Sequence, residues 1–260
     1  MQVFTDDTGV LSRWIRNEVE FQGEVSKGRR GKSVRRIQEW LNLHGFGLVV
    51  DDDFGGVTER LLKRFQSREG LQDTGVSDEI TFAALVEPMI SVLTQRLDTS
   101  ISIEDSMLNY AKAHLAASPR EIGGENRGPW VRLYMNGKDG RQFPWCAGFV
   151  TFLLHQACQS LDVEVPIKGS GSCDSMAAQG KDAGLFLSEK DLNSETLPAG
   201  SIFLVRRTST DWTHTGLVSL AEDDLFDTIE GNTNDEGLRE GFEVCARSRG
   251  YGKKDFVLLS

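Results

Sequence analysis

The chain has 260 residues, a formal net charge of −10, and 39% hydrophobic and 26% charged residues. This is the composition of a globular protein with one or two domains. The acidic balance disfavours a nucleic-acid partner or an anionic membrane surface, because both attract basic patches. No apolar run approaches the roughly 18 residues of a bilayer span, so we expect no membrane insertion.

Residues 1–27 contain Trp14 and Ile15 but no pattern that assigns an element to this segment. The first seven residues are acidic where a signal peptide would be basic and then apolar. We therefore expect no signal peptide and synthesis in the cytoplasm. Action outside the cytoplasm would then depend on a non-classical route.

Residues 28–92 carry a pattern of three short helices. Val34, Ile37 and Leu41 are spaced as one apolar helix face, with Ser33 as the expected N-cap. A second helix follows the turn that ends at Thr58, which is placed to cap it. A third helix follows a turn of the same design, rich in Gly or Asp and ending in Thr.

The run from Val34 to Val86 resembles a small three-helix peptidoglycan-binding module. The matching positions are Val34, Gln38, Leu41, Asp51, Phe54, Gly55, Thr58, Phe65, Gln66, Gly70, Leu71, Thr74, Gly75, Val76, Asp78, Thr81, Ala84 and Leu85. The resemblance implies peptidoglycan as a partner. The alternative is a plain three-helix bundle without a ligand. Asp52 departs from the family pattern, which usually has Gly there, so we expect a differently shaped turn.

A linker over residues 93–103 leads to a second unit over residues 104–260. A helix is predicted for residues 104–117, and His114 within it has the ordinary interpretation of a surface or capping histidine. Short runs rich in β-branched and aromatic residues predict consecutive antiparallel strands. These runs are 201–205, 213–218, 225–232, 242–246 and 256–259.

The four cysteines lie in the second unit and contain no CxxC pair: Cys146, Cys158, Cys173 and Cys245. A chain of this length can bury enough core without disulfides, so we expect at least one free thiol. His44 and His155 do not lie at metal-ligand spacing from a cysteine or carboxylate. We therefore predict no metal site and no cofactor.

Cys146 follows Pro144 and Trp145 at the start of a predicted buried helix. The unpaired N–H groups and the positive dipole end of a helix favour a thiolate there, as a cysteine nucleophile requires. The alternative interpretation is a small buried hydrophobic residue.

His214 lies on a predicted strand, and Glu230 and Asn232 lie on the next one. Side chains repeat every two residues along a strand, so Glu230 and Asn232 are predicted to share a face. Either of them could hold the His214 imidazole in the tautomer of a general base.

Residues 104–260 resemble the cysteine, histidine-dependent amidohydrolase/peptidase (CHAP) family. The resemblance rests on segments around Tyr110, 125–129, 144–147, 200–201, 214–216 and 230–233. It implies an α+β, papain-like fold in which the nucleophile helix packs on an antiparallel sheet. It also implies Cys146 as nucleophile, His214 as base, and Glu230 and Asn232 as their partners. Asn126 in the second segment, Trp145 and Trp212 are the candidate substrate contacts. A core role is an equally good interpretation of Trp145.

The two resemblances together predict a peptidoglycan hydrolase. An N-acetylmuramoyl-L-alanine amidase is slightly preferred over a peptide-stem endopeptidase. A phage or prophage lysin and a secreted antibacterial effector both fit, and an immunity protein is expected only for the effector. The alternatives are a non-catalytic wall-binding protein and a thiol amidase acting on a soluble substrate.

Overall fold

The structure, a computed structural model, describes residue 3 and residues 11–192, 197–233 and 241–259. It is a mixed α+β fold in which helices pack on an antiparallel sheet. Its eight α-helices within the described residues are α1 (Arg13–Val19), α2 (Lys32–Leu43), α3 (Gly56–Arg68), α4 (Glu79–Thr94), α5 (Ile103–Ala117), α6 (Pro129–Tyr134), α7 (Cys146–Leu161) and α8 (Cys173–Asp182). None of these helices combines the length and apolarity that a bilayer crossing requires.

Helices α2, α3 and α4 form the predicted three-helix unit. Val34, Ile37 and Leu41 are buried along α2, which confirms the apolar face read from their spacing. The N-cap of α2 is Gly31 rather than Ser33. Gly31 has a φ of 105°, a value that favours glycine. The helix begins earlier than expected from the preference for serine at helix N-caps.

Thr58 also has a different role from the cap predicted for it. Helix α3 begins at Gly56, so Thr58 lies inside its first turn and is buried. The Thr58 hydroxyl accepts a hydrogen bond from Gln38 Nε2 at 3.2 Å. Gln38 also accepts from the backbone N–H groups of Asp51 and Asp52, at 3.1 and 3.0 Å. The threonine is therefore one contact of a glutamine that closes the preceding turn.

The turn before α4 is closed in the same way by Gln66. Its amide nitrogen donates to the Thr81 hydroxyl at 3.0 Å and to the Val76 carbonyl at 2.9 Å, and its oxygen accepts from Gly75 N–H at 2.9 Å. Asp78 caps α4 by accepting from the Thr81 N–H at 2.8 Å. The similar design of the two turns thus reflects two equivalent glutamine contacts.

Asp52 adopts the backbone conformation that a glycine would favour at this position. Its φ is 64°, in the left-handed region. Its carboxylate accepts two hydrogen bonds from Arg35, from Nε at 2.6 Å and from Nη2 at 2.7 Å. The turn therefore accommodates the departure from the family pattern with a left-handed aspartate anchored to α2.

The strands are β1 (Phe186–Leu187), β2 (Ile202–Thr208), β3 (Asp211–Ala221), β4 (Leu225–Thr233), β5 (Glu243–Gly250) and β6 (Lys254–Val257). They form one antiparallel sheet in the order β1-β6-β2-β3-β4-β5. The predicted succession of neighbouring strands is confirmed for β2 to β5. The last strand instead returns to pair with β2, because β2 still has an open edge after β3 has covered the other.

Helix α7 packs against the centre of this sheet, on β3 and β4. Close approach depends on Gly231, because a Cβ atom there would lie 2.8 Å from both Phe149 Cβ and Trp145 Cζ3. Such contacts are too short for any side chain. The glycine therefore lets the start of α7 sit directly on β4.

Arg132, whose side chain is 16% exposed, connects the opening segment, the three-helix unit and the second unit. Arg132 on α6 donates to Glu18 on α1 at 2.7 and 2.9 Å, and to Glu39 on α2 at 3.2 and 2.7 Å. It also contacts Asp139 at 3.1 Å. Residues 13–19 of the unassigned opening segment thus belong to the packed structure, while residues 1, 2 and 4–10 lie outside the described residues.

His114 is not at the surface, contrary to the sequence interpretation. It is fully buried in α5, with Nδ1 2.8 Å from the Tyr134 hydroxyl and Nε2 3.2 Å from Gln156 Oε1. Burial disfavours the charged ring and lowers the pKa of His114 to about 4. The residue is a neutral core histidine.

Candidate active site

A cleft of about 420 Å³ opens where the first turns of α7 and α8 meet β3. Its walls include Phe143, Pro144, Cys146, Cys173, Trp212, His214 and Asn232. A larger cavity of about 900 Å³ lies between α4 and α5, and the side chains that line it include no cysteine or histidine among the described residues. We place the candidate site in the smaller cleft, because it holds the reactive groups.

Cys146 is the first residue of α7, as the sequence predicted, and is 6% exposed. A hydrogen bond from Cys173 is the largest effect that lowers the pKa of the Cys146 thiol well below its usual range. The contact with His214 and the N–H of Ala147 act in the same direction, against the opposing effect of burial. These contacts favour the thiolate form that a nucleophile needs.

The structure brings His214 and Glu230 together from neighbouring strands. His214 Nε2 donates to Glu230 Oε2 at 2.8 Å, which leaves Nδ1 as the ring nitrogen available for the contact with Cys146. Burial alone would lower the pKa of His214, but the contacts with Cys146 and Glu230 outweigh it and raise the pKa to about 9. At neutral pH the lowered pKa of Cys146 and the raised pKa of His214 favour a thiolate–imidazolium pair.

Glu230 is held on both carboxylate oxygens and has no exposed surface. Arg249 on β5 donates to both oxygens, and the Thr228 hydroxyl donates to Oε1 at 2.6 Å. Burial opposes ionisation of this group, but the hydrogen bonds from Arg249 and His214 outweigh it and lower the pKa of Glu230 to about 2. The carboxylate is therefore ionised and fixed in position beneath the imidazole.

Space for this carboxylate is provided by Gly216, two residues after His214 on β3. A Cβ atom at Gly216 would lie 2.8 Å from Glu230 Cγ and 2.8 Å from Phe203 Cε1. Any larger residue there would displace the Glu230 side chain. The glycine thus has a direct part in the geometry of the pair.

Asn232 lines the cleft, but it does not share the position of Glu230 beside the imidazole. It has a φ of 54°, and the pairing of β4 with β5 shifts between Glu230 and Thr233. The regular alternation assumed from sequence therefore ends at this point. Oriented to satisfy both ends of its amide, Asn232 donates to the Gly241 carbonyl at 2.8 Å and accepts from the Trp145 backbone N–H at 3.3 Å. It fixes the residue that precedes the nucleophile.

Two of the three candidate substrate contacts, Trp145 and Asn126, are buried and do not line the cleft. The Trp145 side chain is fully buried, stacks on Tyr134 with ring centroids 5.5 Å apart, and donates to Glu121 at 2.9 Å. Asn126 is also buried and donates to the Arg141 carbonyl at 3.2 Å, away from the cleft. Both residues support the loop and helix around the site.

Trp212 does line the cleft, although only 7% of its surface is exposed. Its indole N–H donates to Asp255 at 2.9 Å, and its backbone N–H donates to Asp174 at 2.6 Å. The ring is thereby fixed as a wall of the cleft.

Sequence reasoning did not assign Cys173, Arg249 or Glu121 to this site. Arg249 and Glu121 act through contacts between segments distant in the chain, for which a single sequence gives no signal. For Cys173 the sequence does contain a signal, because Ser172 before it is a typical helix N-cap. Cys173 is therefore the first residue of a helix, as Cys146 is. Within the described part of the chain, no group of three or more histidine, cysteine or acidic side chains is placed to hold a metal ion.

Comparison with known proteins identifies one part of the chain. Residues 30–85 match the family model of a putative peptidoglycan binding domain. No curated protein matches the chain. The family match ends before the residues that form the cleft. The first half of the chain therefore carries a match to a peptidoglycan-binding domain, which points to peptidoglycan as a partner.

Proposed function

We propose that the protein is a peptidoglycan hydrolase that cleaves an amide bond through a cysteine nucleophile in a CHAP-like, papain-like second unit. The observation that carries this proposal is the series of contacts from Cys146 to His214 to Glu230 at one cleft. Nucleophile, base and orienting carboxylate in this order are the parts that acyl transfer requires. The peptidoglycan-binding domain on the same chain supplies the substrate class.

In the proposed reaction the Cys146 thiolate attacks the amide carbonyl carbon. The N–H groups of the first turn of α7 lack partners within the helix and are donors for the resulting oxyanion. The His214 imidazolium gives its proton to the leaving amine, which departs and leaves a thioester on Cys146. Neutral His214 then takes a proton from water, and the hydroxide attacks the thioester, releases the carboxylic acid and restores the thiolate–imidazolium pair.

Glu230 has the role of a positioning residue in this scheme. Its hydrogen bond to Nε2 fixes the ring so that Nδ1 carries the proton between sulfur and amine. Its negative charge stabilises the imidazolium. Arg249 and Thr228 keep the carboxylate in place while His214 changes charge.

The binding domain would act by holding the cleft near an insoluble polymer, which raises the local substrate concentration. The buried contacts of Arg132 with Glu18 and Glu39 join this domain to the second unit. The domain therefore presents the wall polymer to a cleft in a fixed relation to it, without a long free linker.

The bond between N-acetylmuramic acid and L-alanine is our first candidate, and an amide in the peptide stem is the second. Both bonds present a carbonyl to the same thiolate, and the fragments distinguish them. A lysin released through a membrane lesion and an antibacterial effector are the biological settings that we propose. Co-purification of an inhibitory partner from the source bacterium would favour the effector.

The test is digestion of isolated peptidoglycan by the purified protein and by its Cys146→Ala variant, with mass spectrometry of the soluble fragments. Cys158→Ala is the matched control, because it removes another thiol from the same helix away from the cleft. We expect fragments from the wild type and from Cys158→Ala only. Free muramic lactyl ends would identify an amidase, and split peptides would identify an endopeptidase.

Equal release by wild type and Cys146→Ala would overturn the cysteine mechanism. Absence of fragments from all three proteins, with all three still sedimenting with the wall, would overturn hydrolysis and leave a wall-binding protein. Release from a soluble muropeptide that is unaffected by deletion of residues 1–95 would instead favour a soluble substrate.

A further inference from the structure

A second cysteine lies beside the candidate nucleophile. Cys146 is the first residue of α7 and Cys173 is the first residue of α8, and their Sγ atoms are 3.9 Å apart. Both thiols are reduced, both are largely buried, and both line the same cleft. The scheme for amide cleavage uses only Cys146, so the second thiol needs a separate explanation.

The backbone position of Cys173 is held by contacts before the start of α8 and within its first turn. The loop before α8 is tied to α7, because Thr151 Oγ1 donates to the Ser170 carbonyl at 2.9 Å and accepts from the Ser170 N–H at 2.8 Å. The first turn of α8 is tied to β3, because Asp174 accepts from the Trp212 N–H at 2.6 Å. These contacts bring Cys173 to Cys146 as part of the folded structure.

A disulfide bond is about 2 Å long, so the sulfurs must approach by about 2 Å to become bonded. Rotation of two cysteine side chains that face each other can supply a movement of this size. Of the four cysteines, only Cys146 and Cys173 are among the described residues that line the cleft.

We propose that Cys146 and Cys173 form a reversible disulfide, with Cys173 as the resolving thiol, and that this modification blocks the nucleophile. The oxidant is a low-molecular-weight disulfide such as glutathione disulfide. The effect of the disulfide on hydrolysis rests on the proposed function, whereas the formation of the disulfide does not.

The chemistry proceeds in two exchanges. The Cys146 thiolate attacks one sulfur of glutathione disulfide, forms a mixed disulfide and expels one glutathione thiolate. Cys173 then loses its proton to solvent and attacks Cys146 Sγ, which breaks the mixed disulfide and expels the second glutathione thiolate. The protein loses two electrons and two protons, and glutathione disulfide is reduced to two molecules of glutathione.

The two thiols are suited to different steps of this sequence. The lowered pKa of Cys146 makes it the attacking thiolate, and the raised pKa of Cys173, due first to its hydrogen bond with Cys146, keeps that thiol protonated. Once Cys146 is uncharged in the mixed disulfide, this cause of the raised pKa is removed and Cys173 can react. Access is the same as for a substrate, which must reach the same sulfur.

The experiment treats the reduced full chain with mixtures of glutathione and glutathione disulfide, quenches in acid, and measures the intact mass and the linked peptides. Wild type and Cys158→Ala are expected to lose two hydrogens, retain no glutathione, and yield a Cys146–Cys173 peptide that dithiothreitol separates. Cys173→Ser and Cys173→Ala are expected to retain one glutathionyl group on Cys146. Near-ultraviolet circular dichroism checks that these two variants are folded.

A wild-type protein that retains the glutathionyl group as the Cys173 variants do would overturn the proposal, as would a Cys146 that stays reduced in every mixture. The mass measurement does not depend on hydrolysis, so failure of either proposal is visible separately. If the protein is a hydrolase, wall digestion falls in proportion to the cross-linked fraction and returns after reduction.

Discussion

The peptidoglycan-binding domain and the cleft are built by opposite means. In the domain, Gln38 and Gln66 close two turns with side-chain amide hydrogen bonds to residues no more than 20 positions away. In the cleft, Cys146, His214 and Glu230 are ionisable groups from three separate elements, and the first and last are 84 positions apart. Contacts between near neighbours in the chain make the residues of the domain recognisable in the sequence. The cleft depends instead on packing between distant segments.

The largest expected effect is that of Glu230→Gln, which tests whether charge is essential in the cleft. The amide can donate to Nε2 and so favours the wrong tautomer, and it lacks the charge that stabilises the imidazolium. We expect the rate of wall digestion to fall by about 10³–10⁴-fold, as for the orienting acid of other nucleophile–histidine sites. Sedimentation with peptidoglycan should be unchanged. Activity within a few-fold of the wild type would contradict the role of Glu230.

Arg132→Gln tests the buried charges that join the two units. It would leave the carboxylates of Glu18 and Glu39, whose side chains are 5% and 3% exposed, without their cation. Loss of one partner from a buried ion pair costs about 3–5 kcal/mol. The free energy of unfolding, measured in urea, should fall by that amount. Arg141→Gln is the control, because Arg141 is 85% exposed in its pair with Glu125 and should change little.

The parts of the fold that the sequence predicted are those set by neighbours in the chain. The face of α2, the start of α7 at Cys146 and the succession β2 to β5 follow from local periodicity and turn residues. The proximity of His214 and Glu230 was also expected, because adjacent strands in a hairpin bring their side chains together.

The sequence predictions fail at residues whose environment is determined by packing between distant segments. Trp145 follows a proline at a candidate site and could equally be groove or core, and only the ring of Tyr134 beneath it determines that it is core. The left-handed conformation of Asn232 breaks an alternation that sequence alone would continue. Cys173 reaches the cleft through α8, whose placement no local pattern specifies. Arg249 reaches Glu230 from the part of β5 that extends beyond the predicted run 242–246.

His114 provides a test of burial by pH. The unfolded chain binds a proton on this ring with a pKa near 6.5, whereas the pKa in the folded protein is about 4. The contribution of His114 to stability is therefore complete above pH 6.5 and declines as the pH falls towards 4, by up to about 3 kcal/mol. Urea unfolding at several pH values would measure the decline. His114→Gln should make the decline shallower, and the remainder is expected from His44 and His155, whose pKa values burial also lowers. An equal slope in both proteins would contradict the assignment.

Gln38→Ala and Gln66→Ala test the equivalence of the two turns. Gln38→Ala leaves the N–H groups of Asp51 and Asp52 and the Thr58 hydroxyl without this partner. Gln66→Ala does the same for the Gly75 N–H and the Thr81 hydroxyl, and each change should cost about 1–3 kcal/mol. We expect similar losses in unfolding free energy for the two variants, with the exposed Gln72→Ala as the control. A large difference between the two would show that the similar sequences of the turns conceal different contributions to stability.

Asp52→Gly is expected to have the smallest effect, because two consequences oppose each other. Glycine removes the strain of a left-handed aspartate, whose φ is 64°. It also removes the two hydrogen bonds from Arg35 and adds conformational freedom to the unfolded chain. The net change in unfolding free energy should stay within about 1 kcal/mol. Asp52→Ala separates the terms, since it loses the ion pair and keeps the strain, and it should be less stable than Asp52→Gly. If Asp52→Ala were the more stable variant, backbone conformation would not be what favours glycine at this turn.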